Sequence, residues 1–142
     1  MVAFALAMPV GALAGTTVFH GPVTGTPFVN SCTNELMRID LDGTSSDHSL
    51  HLPDGSIHVR IQLTAHGTAV GLTTGDVYGF SIVQRVEFRT GPDGAFVTRQ
   101  VVSEIVIGHG SIPNMQMDSI VVYVYRNGEL RVDLTNVTFS CH

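Results

Sequence analysis

The sequence predicts an all-β domain, a single antiparallel up-and-down meander of seven or eight strands. Three observations carry that prediction. Apolar and polar residues alternate with period two over long stretches, as half-buried strands require. Pro53-Asp54-Gly55, Pro92-Asp93-Gly94 and Asn127-Gly128 fall between such stretches and supply the turn chemistry of hairpins. No window of helical length shows the i, i+3, i+4, i+7 spacing of an amphipathic helix. The 142 residues suit one domain.

Residues 1–14 are uncharged, rich in Ala, Val, Leu, Phe and Met, and end in Ala12-Leu13-Ala14 before Gly15. A short apolar run closing on small residues has the pattern of a secretory signal peptide. Only Met1 precedes it, so the basic leader such peptides carry is missing, and a buried N-terminal strand or helix is the alternative. The run is shorter than the roughly 20 apolar residues that span a bilayer, and no membrane span is expected. Residues 15–34 then read as a lead-in segment with room for a short strand near 17–29. Residues 35–142 form the antiparallel domain of an exported, extracytoplasmic protein.

Strands are expected at 35–42, 47–52, 57–65, 68–72, 76–89, 95–108, 115–126 and 129–141. The clearest alternation sets Ile57, Val59, Ile61, Leu63 and Ala65 against His58, Arg60, Gln62 and Thr64. In the last stretch the apolar phase moves from Leu130, Val132 and Leu134 to Val137, Phe139 and Cys141, which places a bulge near Asn136. Cys32 and Cys141 stand near the two ends of the exported chain. A disulfide suits them better than zinc, which takes four ligands at short paired spacings, and two buried thiols are the alternative. With strands this long and their first and last edges joined, a small β-barrel is favoured over a sandwich.

Composition excludes several functions. Charged residues make up only 13% of the chain, and all seven basic residues are Arg. Without Lys there is no Schiff-base chemistry and no P-loop. The net charge of -5 gives no basic footprint for nucleic acid or anionic lipid. No cofactor-binding motif is present, and none of the carboxylate pairs, such as Glu104 with Asp118, has catalytic spacing. His109 in Gly108-His109-Gly110-Ser111 lacks a nucleophile elbow around it.

Hairpin pairing identifies the inward side chains. Around Asn127-Gly128, Tyr125 opposes Leu130, Tyr123 opposes Val132 and Val121 opposes Leu134. The other face of that strand carries Ile120, Val122 and Val124, too apolar for open water, and a homodimer would cover it. Around Pro92-Asp93, Phe88 opposes Val97 and Val86 opposes Arg99, which turns Gln84, Arg99 and Ser103 inward unless the register slips by one. Around Asp54-Gly55, His51 opposes His58, a weak two-ligand metal site at most. Tyr78, Phe80, Phe88, Tyr123 and Tyr125, with Gln84 and Arg99, would line a cavity for a small apolar ligand.

Ile107-Gly108-His109-Gly110 through Asn114, then Asn127-Gly128-Glu129, Val132, Asn136 and a terminal Cys141, resemble a loosely defined group of bacterial secreted all-β proteins with an early and a C-terminal Cys. The resemblance spans nearly the whole exported chain and implies the fold and the compartment. That group has no established activity, so it supplies no catalytic residue, and it often has Gln at the place of His109. Three roles follow as expectations. The first is a non-enzymatic secreted barrel that binds a small apolar ligand. The second is a barrel isomerase or cyclase for an apolar substrate, using an inward Arg99, Gln84 or Glu104. The third is an assembly subunit using an apolar outer sheet face.

Overall fold

A computed structural model describes residues 13–23 and 27–142. Eight strands follow in order: β1 Leu13–Val23, β2 Phe28–Asn30, β3 Glu35–His51, β4 Ile57–Gly71, β5 Val77–Thr90, β6 Phe96–Ile107, β7 Met115–Arg126 and β8 Glu129–Cys141. All belong to one antiparallel sheet of order β1-β3-β4-β5-β6-β7-β8, with the short β2 beside β1 along the same edge of β3. The all-β up-and-down fold is therefore as expected. The signal peptide expected over 1–14 lies outside the described residues except for Leu13 and Ala14, which open β1.

Two pairs of expected strands are continuous. The segments 35–42 and 47–52 join as β3, and 57–65 and 68–72 join as β4. The small residues between them mark close approach, not a turn. A Cβ at Gly43 would come within 2.7 Å of the Ala65 Cβ, so only glycine lets the two strands stay paired there.

Odd-numbered residues of β3 and β4 share one face with the even-numbered residues of β5 and β6 and the odd-numbered residues of β7. That inner face is packed only at one end of the sheet. Met37, Leu41, Ala65, Ala69, Tyr78, Phe80, Val106 and Met115 form the buried core, each at most 5% exposed. They come from the start of β3, β5 and β7 and the end of β4 and β6. Burying each of the larger of these side chains stabilises the fold by roughly 1.5–3 kcal/mol.

The Cys32–Cys141 disulfide forms at this same end, with Cα atoms 5.7 Å apart. Cys32 lies between β2 and β3 on the first edge, and Cys141 closes β8 on the last edge. The sheet therefore coils until its two edges are one disulfide apart. Backbone bonds between Asn114 and His142 hold the tail of β8 beside the start of β7. Among the described residues no ladder joins β1 or β2 to β8, so the sheet is not closed into a barrel.

Two registers differ from expectation for one shared reason. Pro53-Asp54 and Pro92-Asp93 each form a tight turn followed by a glycine at positive φ, Gly55 at 85° and Gly94 at 80°. The closing bonds run from Leu52 N–H to Ser56 C=O and from Gly91 N–H to Ala95 C=O. Each loop thus holds three residues, an odd number, and the ladders move by one residue. Phe88 opposes Thr98, and Arg99 opposes Glu87 on the outer face, exposed. Ser103 turns outward with it. His58 opposes Leu50 while His51 opposes Ile57, which puts the two imidazoles on opposite faces and removes the metal pair.

The Asn127-Gly128 loop has two residues, both at positive φ, and its pairs Tyr125–Leu130 and Tyr123–Val132 are as expected. The bulge lies earlier than Asn136, opposite the Val122–Tyr123 step. It leaves Asp133 without a partner and sets Leu134 against Val122 instead of Val121.

Candidate interaction surface

Away from the disulfide the inner face opens. Phe88, Phe96 and Tyr125 lie in a row across β5, β6 and β7, with ring centroids 5.5 Å and 5.0 Å apart. Tyr123 stands next to them on β7, and all four are half-buried. Beyond the row, β8 continues the inner face with Leu130, Val132, Val137 and Phe139, which are 47–61% exposed. These wet apolar side chains share one face of one strand and are not scattered singly over the surface.

The outer face of the same wing is also apolar. Val124 opposes Val97, Ile120 opposes Val101, and Leu134 opposes Val122. Ile120, Val122 and Val124 are therefore on the outward face, as the alternation predicts. β8 itself is an edge whose residues from Glu129 to Phe139 are all exposed. Its charges, Glu129, Arg131 and Asp133, sit in its first five residues. From Leu134 to Cys141 the edge has no charge and no Pro, the usual guards against strand addition.

The expected cavity residues divide into three places. Tyr78 and Phe80 are 1% and 2% exposed and belong to the solid core at the disulfide end. Gln84, Phe88, Tyr123 and Tyr125 face the open part of the inner surface. Arg99 is outside. Phe96, which links Phe88 to Tyr125, went unrecognised in the sequence because the register error placed Val97 in its stead.

Two carboxylates differ from ordinary surface acids. Glu104 faces inward between Ile82 and Met117, and burial raises its pKa. Glu35 is 7% exposed and accepts hydrogen bonds from the Thr73 and Thr74 N–H groups and the Thr74 hydroxyl. The Thr74 N–H is the main cause that holds its pKa low, with further help from the Thr74 hydroxyl and Thr73. Its oxygens are occupied in capping the β4–β5 turn, a structural role. The crevice of about 410 Å³ beside it is lined by Thr33, Thr74, Tyr78 and Ile112, with Asp76 as its second carboxylate.

Among the described residues no three metal-ligating side chains converge. The described residues contain no helix, and so none that could cross a membrane. The disulfide fits an oxidising, extracytoplasmic location. Compared with known protein families, curated proteins and solved structures, the chain has no match.

Proposed function

We propose that this is a non-enzymatic exported protein that works by association, with the β6–β8 wing as its interface and a second copy as its partner. The observation that carries the reading is the state of β8, an exposed edge uncharged from Leu134 to Cys141, with Leu130, Val132, Val137 and Phe139 on its inner face and Leu134 on its outer face. Antiparallel pairing of β8 with its own copy about a two-fold axis satisfies the edge and needs no second sequence. It also extends the inner apolar strip across the dimer. The filled core at the disulfide end and the outward Arg99 weigh against an enclosed cavity with an anchoring charge. Sedimentation of the disulfide-bonded protein tests the proposal. A species of twice the 15.2 kDa chain mass is expected, reduced to the monomer by Val137→Lys. A wild-type monomer at all concentrations refutes it.

A second reading has its own support in the aromatic row. Phe88, Phe96, Tyr123 and Tyr125 offer a half-exposed platform for an uncharged apolar ligand, with Gln84 farther along the same face. Glu104, held toward its neutral form, is the group an isomerase or cyclase of an apolar substrate would use as its acid. Saturable enhancement of a neutral naphthylamine dye, lost in Tyr125→Ala, would favour this reading, and no enhancement would reject it.

A further inference from the structure

The basic residues are few, yet the outer face gathers most of them. Glu87 stands at the centre of a cross. Arg60 and Arg99 lie directly across from it on β4 and β6, and Arg85 and Arg89 lie two residues away along β5 on the same face. Neighbouring strands are about 4.8 Å apart and same-face residues along a strand about 7 Å apart, so four guanidinium groups share one small area. Glu87 bonds Arg60 at 3.1 Å and approaches Arg89 at 4.0 Å. It is the only carboxylate on the outward face of β4, β5 and β6 among the described residues. One negative charge against four positive ones leaves a surplus of three on a chain whose net charge is -5.

Arg85 and Arg89 each stand diagonal to Arg60 and Arg99, so the four cations neighbour one another with Glu87 alone between them. His48 pairs with Arg60 on the far side of the row, and with His58, Arg60, Glu87 and Arg89 it lines a crevice of about 330 Å³ along one side of the cross, which Arg85 and Arg99 do not line. Guanidinium groups offer fixed two-toothed donors that match carboxylate and sulfate oxygens.

We infer that this cross binds an acidic polysaccharide, a chain of carboxylate or sulfate groups recognised by charge and spacing. The extracytoplasmic compartment is where such polymers occur. Single-stranded nucleic acid, the other flexible polyanion, is held by stacking bases on aromatic rings. Among the described residues this face carries no Phe or Tyr: Phe80, Phe88, Phe96, Tyr123 and Tyr125 all lie on the inner face, and its rings are the imidazoles of His48, His58 and His66. The inference is independent of the association through β8.

Titration calorimetry with defined polymers tests it. Dextran sulfate and polygalacturonate separate sulfate from carboxylate, with neutral dextran and oligodeoxythymidylate as comparisons. Binding of at least one acidic polysaccharide is expected, weakening as salt rises. Arg85→Gln with Arg99→Gln removes two cations that the Glu87 bonds do not hold, and should flatten the slope of log affinity against log salt by about 1.5. Arg38→Gln with Arg131→Gln removes the same charge elsewhere and should keep the wild-type slope. Circular dichroism and the melting temperature establish that each variant is folded. The inference is overturned if neither acidic polysaccharide binds, if neutral dextran binds as well, or if the two double variants lose equally. It is also overturned if oligodeoxythymidylate binds as tightly as the polysaccharides.

Discussion

Replacing both cysteines by Ser, Cys32→Ser with Cys141→Ser, removes the covalent tie between the first and last edges of the sheet. The bridge closes a sequence separation of 109 residues. In the chain-entropy treatment a loop of that length restricts the unfolded state by about 4–5 kcal/mol. Other links between the two ends are few. Asn114 and His142 bond each other, but both lie on the β7–β8 side. Only core packing, such as the Phe28–Phe80 contact at 5.3 Å, draws the β2–β3 edge inward. Urea unfolding followed by far-ultraviolet circular dichroism measures the loss. With a slope of about 2 kcal/mol per molar urea, the midpoint should fall by roughly 2 M. A midpoint lowered by less than about 0.5 M refutes the view that the bridge, not packing, holds the edges together.

Three further outcomes follow from the packing and the charges. Met37 is fully buried, so Met37→Ala should cost about 2–5 kcal/mol in the same urea assay. Glu35 has a lowered pKa, so its contribution is present above the usual carboxylate range and is lost as pH falls through the folded value. Glu35→Gln should therefore melt below wild type at pH 7, with the gap narrowing in acid; a gap that widens in acid contradicts the cap. Glu104 has a raised pKa, so its protonated form favours folding below pH 4.5 and that advantage is lost as pH rises through the folded value. Glu104→Gln should melt at or above wild type at pH 7 and equal to it at pH 4, and a lower melting temperature at pH 7 would contradict its apolar setting.

Much of this molecule is legible in the residues because period two and turn chemistry are local signals. The strands β5 to β8 lie within one or two residues of their expected bounds, and the expected Cys32–Cys141 bridge forms. The faces were harder to read. Side-chain orientation depends on whether a loop has an odd or even number of residues, and Pro-Asp-Gly is compatible with both. The Gly55 and Gly94 positions make both loops odd, which sent Arg99 outward and parted His51 from His58. Asn127-Gly128 permits little choice, and its pairs were right. The small residues around Gly43 and Gly67 looked like breaks because their purpose is contact with strands distant in sequence. The Arg cross is not legible in the sequence for the same reason, since only Arg85-Val86-Glu87-Phe88-Arg89 is local, and Arg60 and Arg99 join through the sheet.

In the proposed association a second copy covers the β8 edge. Hydrogen–deuterium exchange, measured from dilute to concentrated protein, reads that cover amide by amide. The amides of β8 between Leu134 and Cys141 that point away from β7 should exchange quickly when dilute and become protected as concentration rises. Those of β4 and β5, at the centre of the sheet, should stay protected throughout. Exchange in β8 that is fast at every concentration, or protected even in the dilute monomer, would contradict the account.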